Sequence, residues 1–451
     1  MGDTNPVQRV TADDDLFIRM DRAAGLGVVC QVVWKLETQL DPGELERFAR
    51  GLASSHFSRV LRRGRVPLAR DYWVSGGAPG QTITDSDELS AERVHAWIDA
   101  AATEVRLDLV DGPAWELRSA PVHGGGMLVS LTYPHAVADG AFMMKNVRAA
   151  LSDHRPEIEP LRPARLSEDL TDALGQMLRM CRSAASLAGV GVRSLRPPAV
   201  RGVPPITSQT TPFPGESNSD SDVAYVQPLV SASIPTQLWL DTAQRHGGSA
   251  NSLFIAIIVG VIVGAGRADW EDTIRVSIPM TARTTDDDIR SNVTTGRSLD
   301  LRGTLSRDHD LAGIKADAKR MYTESASRVS TFTLLQTLVQ GMSDGMLMRL
   351  NRKASTPLAL ASNMGVLDPT FTGLGSETRT GVVTMRSTTP SAGRQRMIAL
   401  RGGIVAGINQ SGATTTIMVT GLDPVAIPDS SALGRLVVDE CARWSLQPTL
   451  W

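Results

Sequence analysis

The chain has 451 residues, of which 42% are hydrophobic and 21% charged, and its formal net charge is −2. This is the composition of a globular protein, and at this length two or three domains are expected. The near balance of basic and acidic side chains, with 4% aromatic residues, provides neither the positive charge nor the stacking surfaces that nucleic-acid binding needs.

The cysteines and the hydrophobic runs bear on where the protein works. Cys30, Cys181 and Cys441 lie far apart, which gives neither a disulfide framework nor a zinc ribbon. The N-terminal stretch MGDTNPVQRVTADDD has no apolar region of the kind found in signal peptides. The longest uncharged apolar run, Leu253 to Gly266, is too short to cross a bilayer. We therefore expect a cytoplasmic protein without a transmembrane segment.

The first part of the chain alternates predicted strands and helices. Asp41 and Ser90 carry side chains that cap helix N-termini, and Pro42 suits a first helical position. The β-branched and apolar runs predict strands at Val28–Leu36, Ala114–Val122 and Met127–Tyr133. Helices are predicted to begin at Asp41 and to run over Ser90–Val105, Asp139–Leu151 and Ser167–Leu187.

Residues 189–222 are rich in Pro, Ser and Thr and have no apolar period, which is typical of a linker. We therefore divide the chain into an N-terminal half (1–188), this linker and a C-terminal half (223–451). In the second half, the predicted strands are Val223–Ile234, Thr273–Ile278, Gly296–Leu301, Leu358–Ser362, Thr380–Ser387, Met397–Leu400, Ile404–Ile408 and Thr414–Thr420. The predicted helices are Pro235–His246, Asn251–Val263, two within Asp308–Leu350, and Ser430–Trp444. The pattern indicates two mixed α/β halves of similar size.

A basic stretch contributes no specific signal. We interpret this stretch as a solvated helix end and loop. We interpret all histidines except His135, which is discussed next, as ordinary surface residues. The stretch consists of Arg59, Arg62, Arg63, Arg65 and Arg70.

The most informative segment is LTYPHAVADG, which spans Leu131 to Gly140. A predicted strand ends at Tyr133, a short loop presents His135, and Asp139 stands where the next helix begins. A histidine on a loop held by a strand is rigid yet accessible, which is what a general base requires. His135 is therefore the candidate base.

This segment resembles the HHxxxDG signature of the chloramphenicol acetyltransferase-like superfamily of thioester-dependent acyltransferases. That superfamily includes wax ester synthases, polyketide-associated acyltransferases and the condensation domains of peptide synthetases. Pro134 replaces the first histidine of the signature, and the second, which carries the chemistry in the superfamily, is His135. The DFGWG element of condensation domains is not found in the sequence, which favours the lipid and polyketide branches. Four further segments agree in order: Gly247–Asn251, Ser277–Arg283, Ser291–Asn292 and Ser362–Gly365.

The resemblance implies an α/β fold of two chloramphenicol acetyltransferase-like halves. Each half would be a mixed sheet flanked by helices, and the two would form a V around a central channel. Donor and acceptor would enter this channel from opposite faces and meet at the histidine.

The resemblance also implies roles for individual residues. Asp139 would be structural and would pair with an arginine of the second half, for which Arg283 is the candidate. Gly140 would allow a close approach of the backbone. Polar contacts near the channel are expected from Asn292 and Asn363.

The implied activity is transfer of an acyl group from a CoA or carrier-protein thioester to a hydroxyl, in preference to an amine, of a lipid or natural-product acceptor. The thioester is the only cosubstrate, and no metal or redox cofactor is expected. An acyl carrier protein is the candidate protein partner, and peripheral contact with a membrane is compatible with the sequence. Two alternatives remain: a free-standing condensation-type enzyme that joins carrier-bound units, and a non-catalytic docking or lipid-binding module of the same fold.

Overall fold

A computed structural model describes residues 7–78, 80–152, 158–194, 225–325, 331–346 and 357–451. Side chains are described for these residues except 187–194, 324–325 and 331–335. The predicted linker from residue 195 onward, the start of the strand predicted at Val223 and the helical residues predicted after Met346 lie outside the described residues.

The strands are β1 (Gln8–Arg9), β2 (Val29–Leu36), β3 (Arg59–Arg62), β4 (Tyr72–Ser75), β5 (Gln81–Thr84), β6 (Glu116–Val122), β7 (Gly126–Pro134), β8 (Leu229–Pro235), β9 (Thr273–Thr281), β10 (Thr294–Arg302), β11 (Ala359–Val366), β12 (Gly381–Thr388), β13 (Ile404–Ser411), β14 (Thr414–Gly421) and β15 (Thr449–Leu450). The helices are α1 (Ala12–Ala24), α2 (Pro42–Ala53), α3 (Ala91–Thr103), α4 (Gly140–Leu151), α5 (Leu166–Ser194), α6 (Thr236–Arg245), α7 (Ala250–Gly264), α8 (Gly303–Arg307), α9 (Leu311–Ser325), α10 (Thr331–Gln340), α11 (Pro369–Thr372), α12 (Arg394–Leu400) and α13 (Ser430–Arg443).

The first sheet has five strands in the order β12-β2-β7-β6-β5. β2 and β7 pair antiparallel, with Val29 opposite Pro134 and Leu36 opposite Met127. Both strands are buried along nearly their whole length, because α3 packs on them and apolar side chains fill the layer between. This pairing fixes the end of β7, and therefore the start of the loop that follows it.

β12 belongs to the C-terminal part of the chain but completes the first sheet. It pairs with β2 over its full length, from Gly381 opposite Leu36 to Thr388 opposite Val29. The division of the chain at residue 223 is therefore corrected for residues 381–388, which are part of the first sheet. Alternating apolar residues predict a strand, but they do not identify the strand with which it pairs.

The second sheet has seven strands in the order β10-β9-β11-β13-β14-β8-β15. It is mixed, since β11 runs parallel to β9 and β13 whereas the other pairs are antiparallel. We call each large sheet with the helices packed on it a lobe. α7 is apolar on all sides and is buried in the core of the second lobe. Among the described residues no single helix is long and apolar enough to span a membrane. Helices α6 and α7 reach the required length and apolar character only when they are counted together, and the chain bends by 85° between them.

Two further differences from the predicted elements concern short segments. Residues 397–400 lie in helix α12 and not in a strand, because a short apolar run does not distinguish the two structures. The small sheet β1-β4-β3 and strand β5 were not predicted. The predicted linker also begins too early, since α5 continues to Ser194.

Helix α1 was not predicted either, although the sequence contains its start signal. The hydroxyl of Thr11 accepts a hydrogen bond from Asp14 N (3.0 Å), and the Asp14 carboxylate accepts one from Thr11 N (2.9 Å). This reciprocal capping box satisfies two backbone donors at the helix N-terminus. The helix ends at Gly25, whose φ of 59° lies in the left-handed region. It places Asp13, Asp14 and Phe17 beside the residues described next.

Candidate active site

His135 lies directly after the last residue of β7. Its backbone N–H donates to Val28 O (2.8 Å), and Val137 N donates to Pro134 O (2.9 Å), which closes a tight turn. The loop therefore continues from a strand that is paired on both sides and leads into α4. This arrangement holds the backbone of His135 in a fixed position, which is what the segment LTYPHAVADG predicts.

The Asn292 side chain fixes the orientation of the His135 ring. Its Nδ2 donates to three acceptors, namely His135 O (3.0 Å), Ala136 O (3.2 Å) and Asp14 Oδ1 (2.9 Å). The amide oxygen consequently faces His135 Nδ1, at 3.1 Å. An amide oxygen only accepts hydrogen bonds, so Nδ1 carries the ring proton and Nε2 carries the lone pair.

The imidazole is partly buried and stacks on the ring of Phe17, with 3.9 Å between the ring centroids and 18° between the planes. Burial lowers the pKa of His135 below its ordinary value of 6.5, because the protonated ring loses solvation. Its own carbonyl, Asp139 and Asn292 oppose this effect only in part. The neutral ring, which can accept a proton, is the form favoured at neutral pH.

Asp139 links three elements around the loop. Its Oδ1 accepts from Phe142 N (2.8 Å), which caps α4, and its Oδ2 accepts from Val293 N (2.9 Å). Arg283 Nη2 donates to the same Oδ2 (2.9 Å) and to Ser291 O (2.9 Å). Both oxygens of the carboxylate are therefore engaged in these contacts. No hydrogen bond joins it to the imidazole within the described part of the chain.

Arg283 follows β9 and approaches from the second lobe. Beyond Asp139 it faces the Asp288 carboxylate at 3.7 Å, and its guanidinium lies over the Phe142 ring at 5.0 Å. The sequence-predicted Asp139 and Arg283 are thus in direct contact across the two lobes.

The other two residues singled out from the sequence occupy different surroundings. Gly140 is the first residue of α4, and a Cβ there would come within 3.0 Å of the Met364 side chain. Asn363 is exposed and donates to Asn251 Oδ1 (3.1 Å). Of the two asparagines, only Asn292 contacts His135.

Sequence reasoning missed Arg59 as a residue of this site. It is 1% exposed, contrary to the solvated position expected for the basic stretch. Its guanidinium donates to Val137 O (2.8 Å), Ile289 O (3.0 Å) and Ser291 Oγ (2.8 Å). Burial lowers the pKa of Arg59 to about 10, so the side chain remains charged at neutral pH. Arg59 therefore joins the His135 loop to the β9–β10 connection.

A scan against protein-family models finds no match, and a search of curated proteins finds none. Solved structures do match. The first condensation domain of the CDA synthetase is 15% identical, with 100% of each chain covered and a TM-score of 0.56. The starter condensation domain of rhizomide synthetase in complex with C8-CoA and Leu-SNAC is 14% identical, with 97% of this chain and 94% of that chain covered and a TM-score of 0.55.

A third match shows that this fold also occurs within longer chains. A nonribosomal peptide synthetase in its α-methyl-L-serine-AMP bound form is 14% identical, with a TM-score of 0.52, and this chain covers 45% of its length. The chain therefore has the condensation-domain fold. The predicted fold class, two lobes of mixed sheets flanked by helices, is confirmed.

Proposed function

We propose that this protein transfers an acyl group from a CoA or carrier-protein thioester to a hydroxyl, or less favourably an amine, of a lipid or natural-product acceptor. The observation that carries the proposal is the contact of 3.1 Å between His135 Nδ1 and the Asn292 amide oxygen. Because this oxygen can only accept, the contact assigns the ring proton to Nδ1 and the lone pair to Nε2. A neutral imidazole held in this way is suited to remove the proton of an attacking hydroxyl.

In the proposed reaction, Nε2 of His135 takes the acceptor proton while the acceptor oxygen bonds to the thioester carbonyl carbon. The carbon–sulfur bond then breaks, and the proton on Nε2 passes to the departing thiolate. The products are an ester and a free thiol, so atoms and charges balance. A thioester is already activated, so the chain needs no covalent nucleophile and no Lewis acid for this step.

The condensation-type alternative draws support from the solved structures, which are named for condensation domains. It differs from the main proposal in requiring carrier-bound substrates. Presenting the same acyl group on CoA and on a carrier protein, with free and carrier-bound acceptors, separates the two. Turnover only when both substrates are carrier-bound would favour the condensation reaction.

The purified full chain is expected to release one thiol for each ester formed, and chelation by EDTA is expected to leave the rate unchanged. A chromogenic disulfide reagent follows the thiol, and mass spectrometry follows the acylated acceptor, across a panel of acyl thioesters and alcohols. Activity that is lost with EDTA and restored by zinc or magnesium would contradict the mechanism. Thiol release without any acylated product would indicate hydrolysis instead of transfer.

The pH dependence of kcat/KM is expected to show its acid limb below pH 6.5. The reason is that burial lowers the pKa of His135, so the ring loses its proton, and gains its function as a base, at a lower pH than a solvated histidine. Initial rates between about pH 4.5 and 8 measure this limb, within the range where a thioester survives the assay. An acid limb above pH 6.5 would contradict the assignment of His135 as the titrating base.

A further inference from the structure

Helix α1 lies far in sequence from the loop that carries His135. One of its side chains, that of Asp14, nevertheless contacts Asn292, the residue that faces the imidazole. Asp14 is 0% exposed, and its Oδ1 accepts from both Asn292 N and Asn292 Nδ2, each at 2.9 Å. Asn292 in turn contacts His135 Nδ1. A continuous chain of hydrogen bonds therefore runs from Asp14 through Asn292 to His135.

We propose that Asp14 is a positioning residue for His135 and acts through Asn292. It holds the Asn292 amide with its oxygen toward Nδ1, and so keeps the lone pair on Nε2. The kinetic consequence rests on the proposed function, whereas the position of the ring proton is a property of the protein without substrate.

The amide needs such a restraint because its two ends are nearly equal in shape. If the Asn292 amide turned by 180°, its NH2 group would face Nδ1, which would favour the proton on Nε2 and abolish the base. In that orientation the amide oxygen would face His135 O, Ala136 O and Asp14 Oδ1. Of these three acceptors only Asp14 carries a full negative charge, so its repulsion contributes most to excluding the turned amide.

Asp14 is suited to this role as a carboxylate, and the groups that contact its oxygens stabilise that form. Burial raises the pKa of Asp14, yet the four groups that contact its oxygens are all donors: Thr11 N, Trp73 Nε1, and the backbone and side-chain nitrogens of Asn292. A protonated carboxyl would direct its hydrogen at one of these donors. The cation of Arg59 also acts on the Asp14 charge and stabilises it.

The two oxygens of Asp14 have separate tasks, which allows a matched control. Oδ2 accepts from Thr11 N in the capping box, whereas Oδ1 serves Asn292. Thr11→Ala removes the hydroxyl that caps Asp14 N and weakens the start of α1, but it leaves Oδ1 and Asn292 in place. It therefore imitates a purely structural loss at the same helix end.

The test compares Asp14→Ala, Asp14→Asn, Asn292→Ala and Thr11→Ala with the unaltered full chain, each carrying ¹⁵N-labelled histidine. The His135 signals are identified by their loss in His135→Ala. For Asp14→Ala we expect a kcat about 10- to 100-fold lower with KM changed less than about twofold, and ¹⁵N shifts that show the proton moving toward Nε2. Asn292→Ala should change kcat and the ¹⁵N shifts in the same way. Asp14→Asn keeps an oxygen but loses the charge, so its kcat and ¹⁵N shifts should lie between those of Asp14→Ala and of the unaltered chain.

Thr11→Ala should lower the melting temperature while leaving both kcat and the ¹⁵N shifts unchanged. A folded Asp14→Ala variant with unaltered ¹⁵N shifts and kcat would overturn the proposal. If that variant does not fold, Asn292→Ala decides, since unaltered ¹⁵N shifts there overturn it equally. If the unaltered protein transfers no acyl group from any thioester, the proposed function fails, and the ¹⁵N comparison still decides the role of Asp14.

Discussion

Replacing His135 by alanine is expected to slow acyl transfer by about 10²- to 10⁴-fold while the protein stays folded. The reason is that Nε2 of this ring is the proposed proton acceptor, and Asn292 and Phe17, which contact the ring, would remain in place without it. The fold should survive because the ring is only partly buried and the loop is fixed by backbone hydrogen bonds at Val28 and Pro134. Product formation and thermal melting are measured together on the same preparation.

A matched control is His123→Ala, which removes a histidine from the exposed β6–β7 hairpin. The His123 side chain is 74% exposed and lies 3.7 Å from Glu88 on the surface. Its loss should change neither rate nor melting temperature. A folded His135→Ala protein that retains near-normal turnover would rule out the base assignment and favour the non-catalytic docking alternative.

Breaking the ion pair between Asp139 and Arg283 is expected to cost about 3–5 kcal/mol in the free energy of unfolding, and to lower the rate as well. The two side chains are only 5% and 11% exposed, so Asp139→Asn leaves a buried guanidinium whose remaining counter-charge is the more distant Asp288 carboxylate, at 3.7 Å. The rate should fall because the same carboxylate accepts from Phe142 N and Val293 N and thereby shapes the loop that carries His135. Urea denaturation measures the stability of Asp139→Asn, Arg283→Gln and the double variant.

The control for this cycle is Arg275 with Asp300, a pair of the same residue types that lies within the second sheet. Their atoms are 2.7 Å apart, but the side chains are 39% and 42% exposed, so breaking this pair should cost less than about 1 kcal/mol. If the single effects of Asp139→Asn and Arg283→Gln add within about 0.5 kcal/mol in the double variant, the two residues do not interact energetically.

The parts of the site that the sequence predicts are those with a local signal. His135, Asp139 and Gly140 fall within one short segment at a strand end, and Arg283 was reached through the resemblance of its own segment. Arg59 and Asp14 have no such signal, because their contacts cross 78 to 278 residues of chain. An arginine in a basic stretch is expected to be solvated, because burial of a guanidinium requires compensating acceptors. The acceptors of Arg59 lie on distant segments and cannot be identified from the sequence around it.

The fold shows the same division between local and distant information. Helices α4 and α7 are predicted within a residue or two of their bounds, because capping residues and long apolar runs are signals that lie within the segment itself. The sequence does not predict that residues 394–400 form a helix, nor that β12 belongs to the first sheet. Both features depend on packing against distant segments. The sequence of α1 contains the capping-box residues Thr11 and Asp14, but the run of acidic residues at its start is equally typical of a polar terminus.

The placement of β12 also has a consequence for synthesis on the ribosome. After Pro134 the chain contains every other strand of the first sheet, but β12 is complete only at Thr388, roughly 250 residues later, which at ordinary translation speeds takes about 10 to 50 seconds. Throughout that time β2 is an open edge, and unpaired edges attract other strands. A nascent chain paused before Gly381 should therefore be the species that chaperones hold, and that aggregates in their absence.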